Sequence, residues 1–288
     1  MHIDLHVHTC HSPSPSFGRY QASDCSLTPE VAYRTLKERG MDQVTFTDHD
    51  TINGCLAFLE RNPGIADFFI SEEVTTRFPD LRKRLHVGVF RISEAQHHEI
   101  GRLRSNAFDL TAYLKREQIP YALFHPGNQV LSRRSAGTYW ERALEYFPWW
   151  ETCNGAISPR HSDILAGVLQ GHPAPPVFVA GSDGHTRARL ASCFTVLQVD
   201  GFVPRGIVGR GCSLPAQLGD VYSLIFNYLG QVFRPSGMRK TPEVYAFVLL
   251  FGIPFTLGGL PLFLTLLNRY NLWAMSIRAS RGIYGLSV

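Results

Sequence analysis

Histidines and carboxylates recur in short motifs along the first 200 residues, beginning with Asp4-Leu5-His6-Val7-His8. Side chains two residues apart on a strand point to the same face. If this segment is a strand, His6 and His8 can therefore bind one metal ion. The motif alone is equally compatible with a polar strand end that binds nothing.

A second motif, Thr47-Asp48-His49-Asp50, follows a predicted strand. Three titratable groups in a row are costly to bury without partners, so this motif forms either a metal site or a solvated turn. Asp48 could also orient a metal-binding histidine by accepting its hydrogen bond. Farther along, Glu73 offers two oxygens that could bridge two metal ions, although the neighbouring Glu72 competes for this role.

Three more histidine motifs follow: His86 in LHVG at 85–88, His125 in FHPG at 124–127, and the segment GSDGH at 181–185 with Asp183 and His185. A histidine inside an apolar strand, such as His86, is more often a hydrogen-bonded core residue than a ligand. The glycines beside Asp183 allow the backbone to approach a metal cluster closely.

The elements that would position these residues are short strands alternating with helices. The strands are predicted at 3–8, 43–47, 68–75, 85–90, 121–124, 149–152 and 177–180, and the helices after Thr28 and at 51–60, 93–117 and 138–146. This alternation is typical of an α/β fold with a parallel sheet or barrel, in which side chains at the C-terminal ends of strands form the active site. Most of the candidate ligands lie at such ends, and His86, at the start of its strand, is the exception.

Taken in order, the motifs resemble those of the polymerase and histidinol phosphatase (PHP) family of metal-dependent phosphoesterases. The resembling segments are DLHVHT at 4–9, TDHD at 47–50, SEEVT at 71–75, LHVG at 85–88, FHPG at 124–127 and GSDGH at 181–185. The resemblance implies a distorted (β/α)7 barrel, similar to a TIM barrel, with two or three divalent metal ions at its C-terminal mouth.

The resemblance also implies which residues bind each ion. The first ion would be held by His6, His8, Glu73 and Asp183. The second would share Glu73 and be held also by His86 and His125. The third would lie near His49 and His185. Nitrogen and oxygen ligands of this kind suit Zn, Mn or Fe.

The third site departs from the family pattern. Pro13 stands where family members often have an aspartate, and a proline side chain cannot bind a metal. His11 could substitute for that aspartate, or the third site is weak or empty.

The activity implied is hydrolysis of a phosphomonoester or phosphodiester by a metal-bound hydroxide, because metal ions acidify bound water and neutralise phosphate charge. The catalytic residues would be His185, Asp183 and Glu73, with His185 or a water protonating the leaving group. Arg160, Arg187 and Asn154 are candidates for substrate binding, although each arginine could equally be a solvated surface residue.

Two other functions stay open. One is a catalytically silent PHP-like module that binds phosphorylated ligands or acts as a scaffold at the membrane. Pro13 favours this reading, and the nearly complete ligand set argues against it. The other is metal-dependent hydrolysis of a different bond, such as an amide.

The amino-acid composition limits which other classes of protein the chain can belong to. The net charge is +4, with 44% hydrophobic and 18% charged residues, which indicates a well-packed domain. Because Lys and Arg form no long run, we expect no nucleic-acid binding beyond a nucleotide substrate. The six cysteines include no C-x-x-C pair and no secretory signal is recognised, so free thiols in the cytoplasm are expected.

The C-terminal part differs in composition. The stretch 244–267 contains no charged side chain and exceeds the roughly 20 apolar residues that cross a bilayer. Because Pro254 and Pro261 interrupt it, a transmembrane helix, a re-entrant pair of half-helices and a buried helix pair are all compatible with the pattern.

From this change we predict three regions. They are a metal-dependent hydrolase domain at 1–204, a linker with an amphipathic helix at 205–241, and a hydrophobic membrane-associating segment with a basic tail at 242–288. The membrane segment would hold the catalytic domain at the cytoplasmic face, where the substrate would be a phosphorylated small molecule or a lipid-linked phosphate.

Overall fold

The computed structural model describes residues 1–13, 25–81, 84–126, 133–157, 172–198 and 201–209, together with Leu165 and Leu169. Within these residues the strands are β1 (His2–Ile3), β2 (Ser71–Arg77), β3 (Arg84–Phe90), β4 (Tyr121–Phe124), β5 (Trp149–Asn154), β6 (Val177–Gly181), β7 (Cys193–Leu197) and β8 (Pro204–Gly209). The helices are α1 (Pro29–Glu38), α2 (Asn53–Arg61), α3 (Glu94–Leu103), α4 (Ala107–Arg116) and α5 (Arg133–Tyr146).

The strands form two sheets. The larger has the order β2-β3-β4-β5-β6, and the smaller has the order β1-β7-β8. In the larger sheet, β3 runs antiparallel to both of its neighbours, whereas β4, β5 and β6 are parallel. The smaller sheet is antiparallel throughout. The fold is therefore mixed α/β, and the expectation of an all-parallel arrangement is wrong.

The predicted (β/α)7 barrel is also wrong, because the described strands form two separate sheets and no single closed one. The predicted strands at 3–8 and 43–47 are the main difference. They contribute only isolated parallel bridges, Val7 to Gly184 and Val44 to Phe68, apart from Ile3 in β1.

Side chains explain why these two segments do not form regular ladders. The backbone N–H of Val7 donates to the hydroxyl of Thr47 at 3.0 Å, and that of His6 donates to a carboxylate oxygen of Asp4 at 3.3 Å. Hydroxyl and carboxylate groups that take backbone donors in this way compete with strand pairing.

The helix boundaries follow from capping. Thr28 caps α1 by accepting from the N–H of Val31, and Gly40 follows the helix with a φ of 84°, as the sequence predicts. The single helix predicted at 93–117 is instead two helices. The first ends at Leu103, and Asn106 caps α4 by accepting from the N–H of Phe108 at 3.0 Å.

One face of the larger sheet packs in the main apolar core. Val74, Val87, Leu123 and Trp150 are buried in a cluster that includes side chains from α3, α4 and α5.

The opposite face is mixed. It carries Glu73, His86 and Glu151 of the candidate site, and it also carries Phe90 and Phe124, which are buried in a separate apolar cluster. Alternation along the strands thus directs the site residues away from the main core.

The predictions for the C-terminal part fall outside the described residues, which end at 209. These are the amphipathic helix within 205–241 and the hydrophobic segment at 242–288, and β8 crosses the predicted boundary at 204. Among the helices that the structure describes, none combines the length and the apolar character needed to span a bilayer. Membrane association and cytoplasmic location stay predictions.

Candidate metal centre

Glu73 lies at the centre of the site. Its side chain is fully buried on β2, and both carboxylate oxygens face imidazole nitrogens. Oε2 lies 3.2 Å from Nε2 of His6, 3.2 Å from Nε2 of His8 and 3.1 Å from Nδ1 of His49. Oε1 lies 2.7 Å from Nδ1 of His86 and 3.3 Å from Nε2 of His125. One carboxylate thus contacts five histidines from four separate segments of the chain.

Asp183 completes one side of the site. Its Oδ1 lies 3.4 Å from Nε2 of His6 and 3.4 Å from Nε2 of His8, so these two nitrogens face both carboxylates. His185 lies beside it, with Nδ1 3.0 Å from the backbone oxygen of Asp183. A carbonyl oxygen only accepts hydrogen bonds, so Nδ1 of His185 carries the hydrogen and Nε2 is the basic nitrogen.

His86 reaches the site because of the direction of its strand. β3 is antiparallel to β4, and His86 pairs with Phe124, the last residue of β4. The start of β3 therefore lies beside the end of β4, where His125 follows. A histidine at the start of a strand lies far from the C-terminal ends of parallel neighbours. It lies beside the C-terminal end of an antiparallel neighbour.

Among the residues that the structure describes, four groups of side chains place their ligand atoms within 4.8 Å of one another and could each hold a metal ion. These groups are His6, His8 and Asp183; His6, Glu73 and His125; His49, Glu73 and His86; and His8, His49 and His185. Every metal ligand that the sequence predicts belongs to at least one group. The structure thus brings the predicted ligands together, while their roles as ligands stay a prediction.

The donor set fits divalent metal ions. Imidazole nitrogens and carboxylate oxygens are the ligands that Zn, Mn and Fe share. In addition, the buried Nδ1 of His86 lies 2.7 Å from Glu73 Oε1 and yet makes no hydrogen bond with any group in the described part of the chain. A cation held by both atoms would satisfy them without a shared proton.

Electrostatics couple these side chains strongly. Burial acts to raise the pKa of Glu73, but His49, His6 and His86 hold that pKa well below its usual range. Burial likewise acts to lower the pKa of His6, but Asp183, Glu151 and Glu73 raise it well above the usual range. The raised pKa of His6 favours its protonated form, so binding of a metal ion at this imidazole should release a proton.

Glu151 on β5 is a buried carboxylate that the sequence analysis missed. Its Oε1 lies 2.9 Å from Nδ1 of His6, and its Oε2 accepts from the backbone N–H of His125 at 2.8 Å. The amide of Asn154 donates to the same Oε2 at 2.9 Å. A hydrogen bond at Nδ1 directs Nε2 of His6 toward Glu73 and Asp183, which is how outer carboxylates orient metal-binding histidines. The only signal in the sequence is a glutamate inside the apolar strand Trp149–Asn154.

Ser12 and Asp48 support the loops around the site. Ser12 Oγ lies 3.1 Å from Nδ1 of His8 and accepts from the backbone N–H of His49 at 3.2 Å, so it links two of the motifs. Asp48 accepts from both the N–H and the hydroxyl of Thr9, at 2.6 and 2.7 Å. Asp48 is thus bonded to Thr9, whereas the sequence suggested a histidine as its partner.

Backbone geometry at the site is constrained. His125 and Asp183 adopt positive φ angles of 30° and 50°, which non-glycine residues seldom do. Such strained residues concentrate at functional sites. Gly181 permits another close approach, since a Cβ there would lie 2.3 Å from Cβ of His6.

The remaining predicted residues are placed as follows. Asn154 also contacts the site directly, because its amide lies 3.3 Å from Asp183 Oδ2. Arg187 is exposed and pairs with Glu38 at 3.1 Å. Arg160 lies outside the described residues. His11 is exposed and belongs to none of the four candidate metal groups. Substrate binding by Asn154, Arg160 and Arg187 stays a prediction.

Comparison of the chain with known sequences adds little to what the geometry of the site indicates. No protein-family model matches the chain. An uncharacterized protein of Methanocaldococcus jannaschii is 33% identical over 78 residues, which are 26% of this chain and 46% of that protein. The chain thus matches less than half the length of this curated relative. The likeness to the PHP family stays a resemblance between motifs.

The solved structures to which the chain is similar share little of its sequence. A proposed metal-dependent phosphoesterase from Bifidobacterium adolescentis is 14% identical, with a TM-score of 0.44 over 78% of this chain and 96% of that chain. PsfC from Pseudomonas syringae is 17% identical, with a TM-score of 0.49 over 79% of this chain and 98% of that chain. An amidohydrolase from Chromobacterium violaceum, solved with sulfate and no metal, is 17% identical, with a TM-score of 0.43 over 64% of this chain and 88% of that chain. Likenesses this distant leave the reaction and the substrate open.

Proposed function

We propose that this protein is a metal-dependent phosphoesterase that hydrolyses a phosphomonoester or phosphodiester. The observation that supports the proposal is the set of five imidazole nitrogens within 2.7–3.3 Å of the two oxygens of Glu73. Burying so many ionisable groups is costly. Such a cluster is therefore better explained by ion binding and catalysis than by a contribution to stability.

The side chains of the site have different proposed roles, which follow from their contacts. Glu73 presents one oxygen to His6, His8 and His49 and the other to His86 and His125, so it is placed to bridge two ions. Bound divalent ions would supply acidified water and neutralise the phosphate charge. Glu151 orients His6, and Ser12 orients His8.

Proton transfer is assigned to His185. Its Nδ1 is held by the backbone oxygen of Asp183, which leaves Nε2 as the atom that can carry a transferable proton. The side chain is one-fifth exposed, so it lies at the open side of the site, where a leaving group would depart. His185 would protonate that leaving group from Nε2 when the site that it shares with His8 and His49 holds no ion, and otherwise a water would do so.

Turnover and metal content of the full chain in detergent test this proposal. Activity would be measured on aryl phosphomonoesters, phosphodiesters and amides with Mn, Zn or Fe added. Bound metal with phosphate-ester turnover is expected, and His8→Ala should lose both. The matched control is His98→Ala, because His98 is exposed on α3 away from the site.

Each other outcome has a defined meaning. Metal binding without turnover of any phosphate ester would contradict the phosphoesterase and favour the silent binding module. Turnover of amides alone would favour an amide hydrolase. A chain that binds no metal under any of these conditions would contradict the proposal at its base.

A further inference from the structure

A second polar pocket lies at the edge of the larger sheet. Its volume is about 490 Å³, and it is lined by Thr75, Thr76, Arg77, Arg84 and Arg104 together with Gly101 and Ser105. This volume is in the range of pockets that bind small molecules. β2 is the outermost strand of its sheet, so the pocket is bounded by the strand edge and by the end of α3.

Two arginines of this pocket oppose each other. Arg77 and Arg84 are directly paired across the antiparallel strands β2 and β3. Like charges at opposed positions destabilise a strand pair. Within the described part of the chain, neither guanidinium forms an ion pair with a carboxylate. An anion between them would turn this repulsion into attraction.

The third arginine links the pocket to the metal centre. Arg104 forms an ion pair with Asp50, the last residue of the motif that contains His49. The other oxygen of Asp50 accepts from the backbone N–H of Thr75 at 2.7 Å. The loop that carries a candidate metal ligand is thus bonded to two residues that line the pocket, Thr75 and Arg104.

The strand register sets the spacing between the sites. Glu73, Thr75 and Arg77 lie on one face of β2, and Thr75 is paired with His86. Arg84 is two residues from His86 on the same face of β3, which corresponds to about 7 Å along an antiparallel strand. One extended small molecule can therefore reach both the metal centre and the arginines.

We propose that this pocket binds a second phosphate group of the substrate whose ester bond is cleaved at the metal centre, so that the preferred substrates are bisphosphorylated small molecules. This inference rests on the proposed function. Guanidinium groups match phosphate oxygens in geometry as well as in charge.

A series of α,ω-alkanediol bisphosphates of increasing chain length, each compared with its monophosphate, tests the proposal. The full chain should show at least a tenfold higher kcat/KM for one or more bisphosphates than for the matching monophosphates. The double variant Arg77→Gln/Arg84→Gln should reduce this ratio at least fivefold. Arg102→Gln should leave it unchanged, because Arg102 is an exposed arginine of α3 that pairs with Glu99 and does not line the pocket.

A binding measurement separates this pocket from the proposed function. Inorganic phosphate would be titrated into the chelator-treated protein, and its binding by the parent and the two variants would be compared. Weaker phosphate binding in the double variant, with binding by Arg102→Gln unchanged, supports the pocket even if no phosphate ester is hydrolysed. Turnover without any preference for bisphosphates at any chain length, together with equal phosphate binding by the double variant, would overturn the inference and leave the phosphoesterase intact.

Discussion

Both faces of the larger sheet are buried, but one packs in the main apolar core and the other carries the charged strand residues of the candidate site. On β2, Glu73 and Val74 are neighbours in sequence and both fully buried, but they point to different faces. On β5, Trp150 and Glu151 repeat the contrast. Removal of apolar surface from water stabilises the fold, whereas burial of charge costs free energy unless the charges are paired. Stability is therefore expected to depend on one face and chemistry on the other.

Loss of the central carboxylate should give the largest effect. Glu73→Gln removes one charge from a position that faces five histidines, so metal affinity and turnover should fall by more than the roughly 10–100-fold that loss of an outer partner costs. Metal content by mass spectrometry and kcat/KM would measure this. The variant should retain a cooperative unfolding transition.

The control for Glu73→Gln is the same substitution at the adjacent carboxylate, Glu72. Glu72 is also buried, but it points away from Glu73 and bonds to Nδ1 of His97 at 2.9 Å. Glu72→Gln should therefore keep metal content and most activity. Equal loss in both variants would mean that the two faces are not functionally distinct.

The apolar face should respond in the opposite way. Leu123 is 1% exposed at the centre of the sheet, so Leu123→Ala should lower the free energy of unfolding by about 2–5 kcal/mol through lost burial and a cavity. Denaturant titration of the metal-free protein would measure this. Metal stoichiometry of the folded fraction should not change.

An exposed apolar residue provides the comparison for Leu123. Val203 is 52% exposed, so Val203→Ala should change stability by less than about 0.5 kcal/mol. If Leu123→Ala removed metal binding while leaving stability intact, the division between the faces would be refuted.

A smaller effect is expected at the outer carboxylate. Glu151→Gln keeps the shape of the side chain but weakens the acceptor at Nδ1 of His6, so metal affinity should fall roughly 10–100-fold. A competition titration with a metal-binding dye would measure it. Glu145→Gln, an exposed change on α5, should have no effect. Unchanged affinity in Glu151→Gln would show that His6 is oriented by other contacts.

Local patterns were sufficient for much of the site. Histidine and carboxylate motifs identified the residues that the structure brings around Glu73, because ligand chemistry depends on residue type and on short spacings. Capping residues likewise identified the start of α1, and a short apolar run identified β4, since both signals lie within a few residues.

The structural features that the sequence alone could not determine depend on contacts between residues that are far apart along the chain. Glu151 was missed because a glutamate in an apolar strand has no meaning until His6 and His125 are placed beside it. The two-sheet arrangement was missed because Thr47 and Asp48 take backbone donors of the first motif across a wide gap in sequence.

The sequence by itself determined which side chains could bind metal and which residues begin and end several elements. Only the tertiary structure decided that β3 runs antiparallel, which places His86 at the metal centre and sets Arg77 opposite Arg84. The physical reason is the distance along the chain over which each of these signals acts. Periodicity and capping act within one turn or strand, whereas strand direction and register are set by pairing between segments that are remote along the chain.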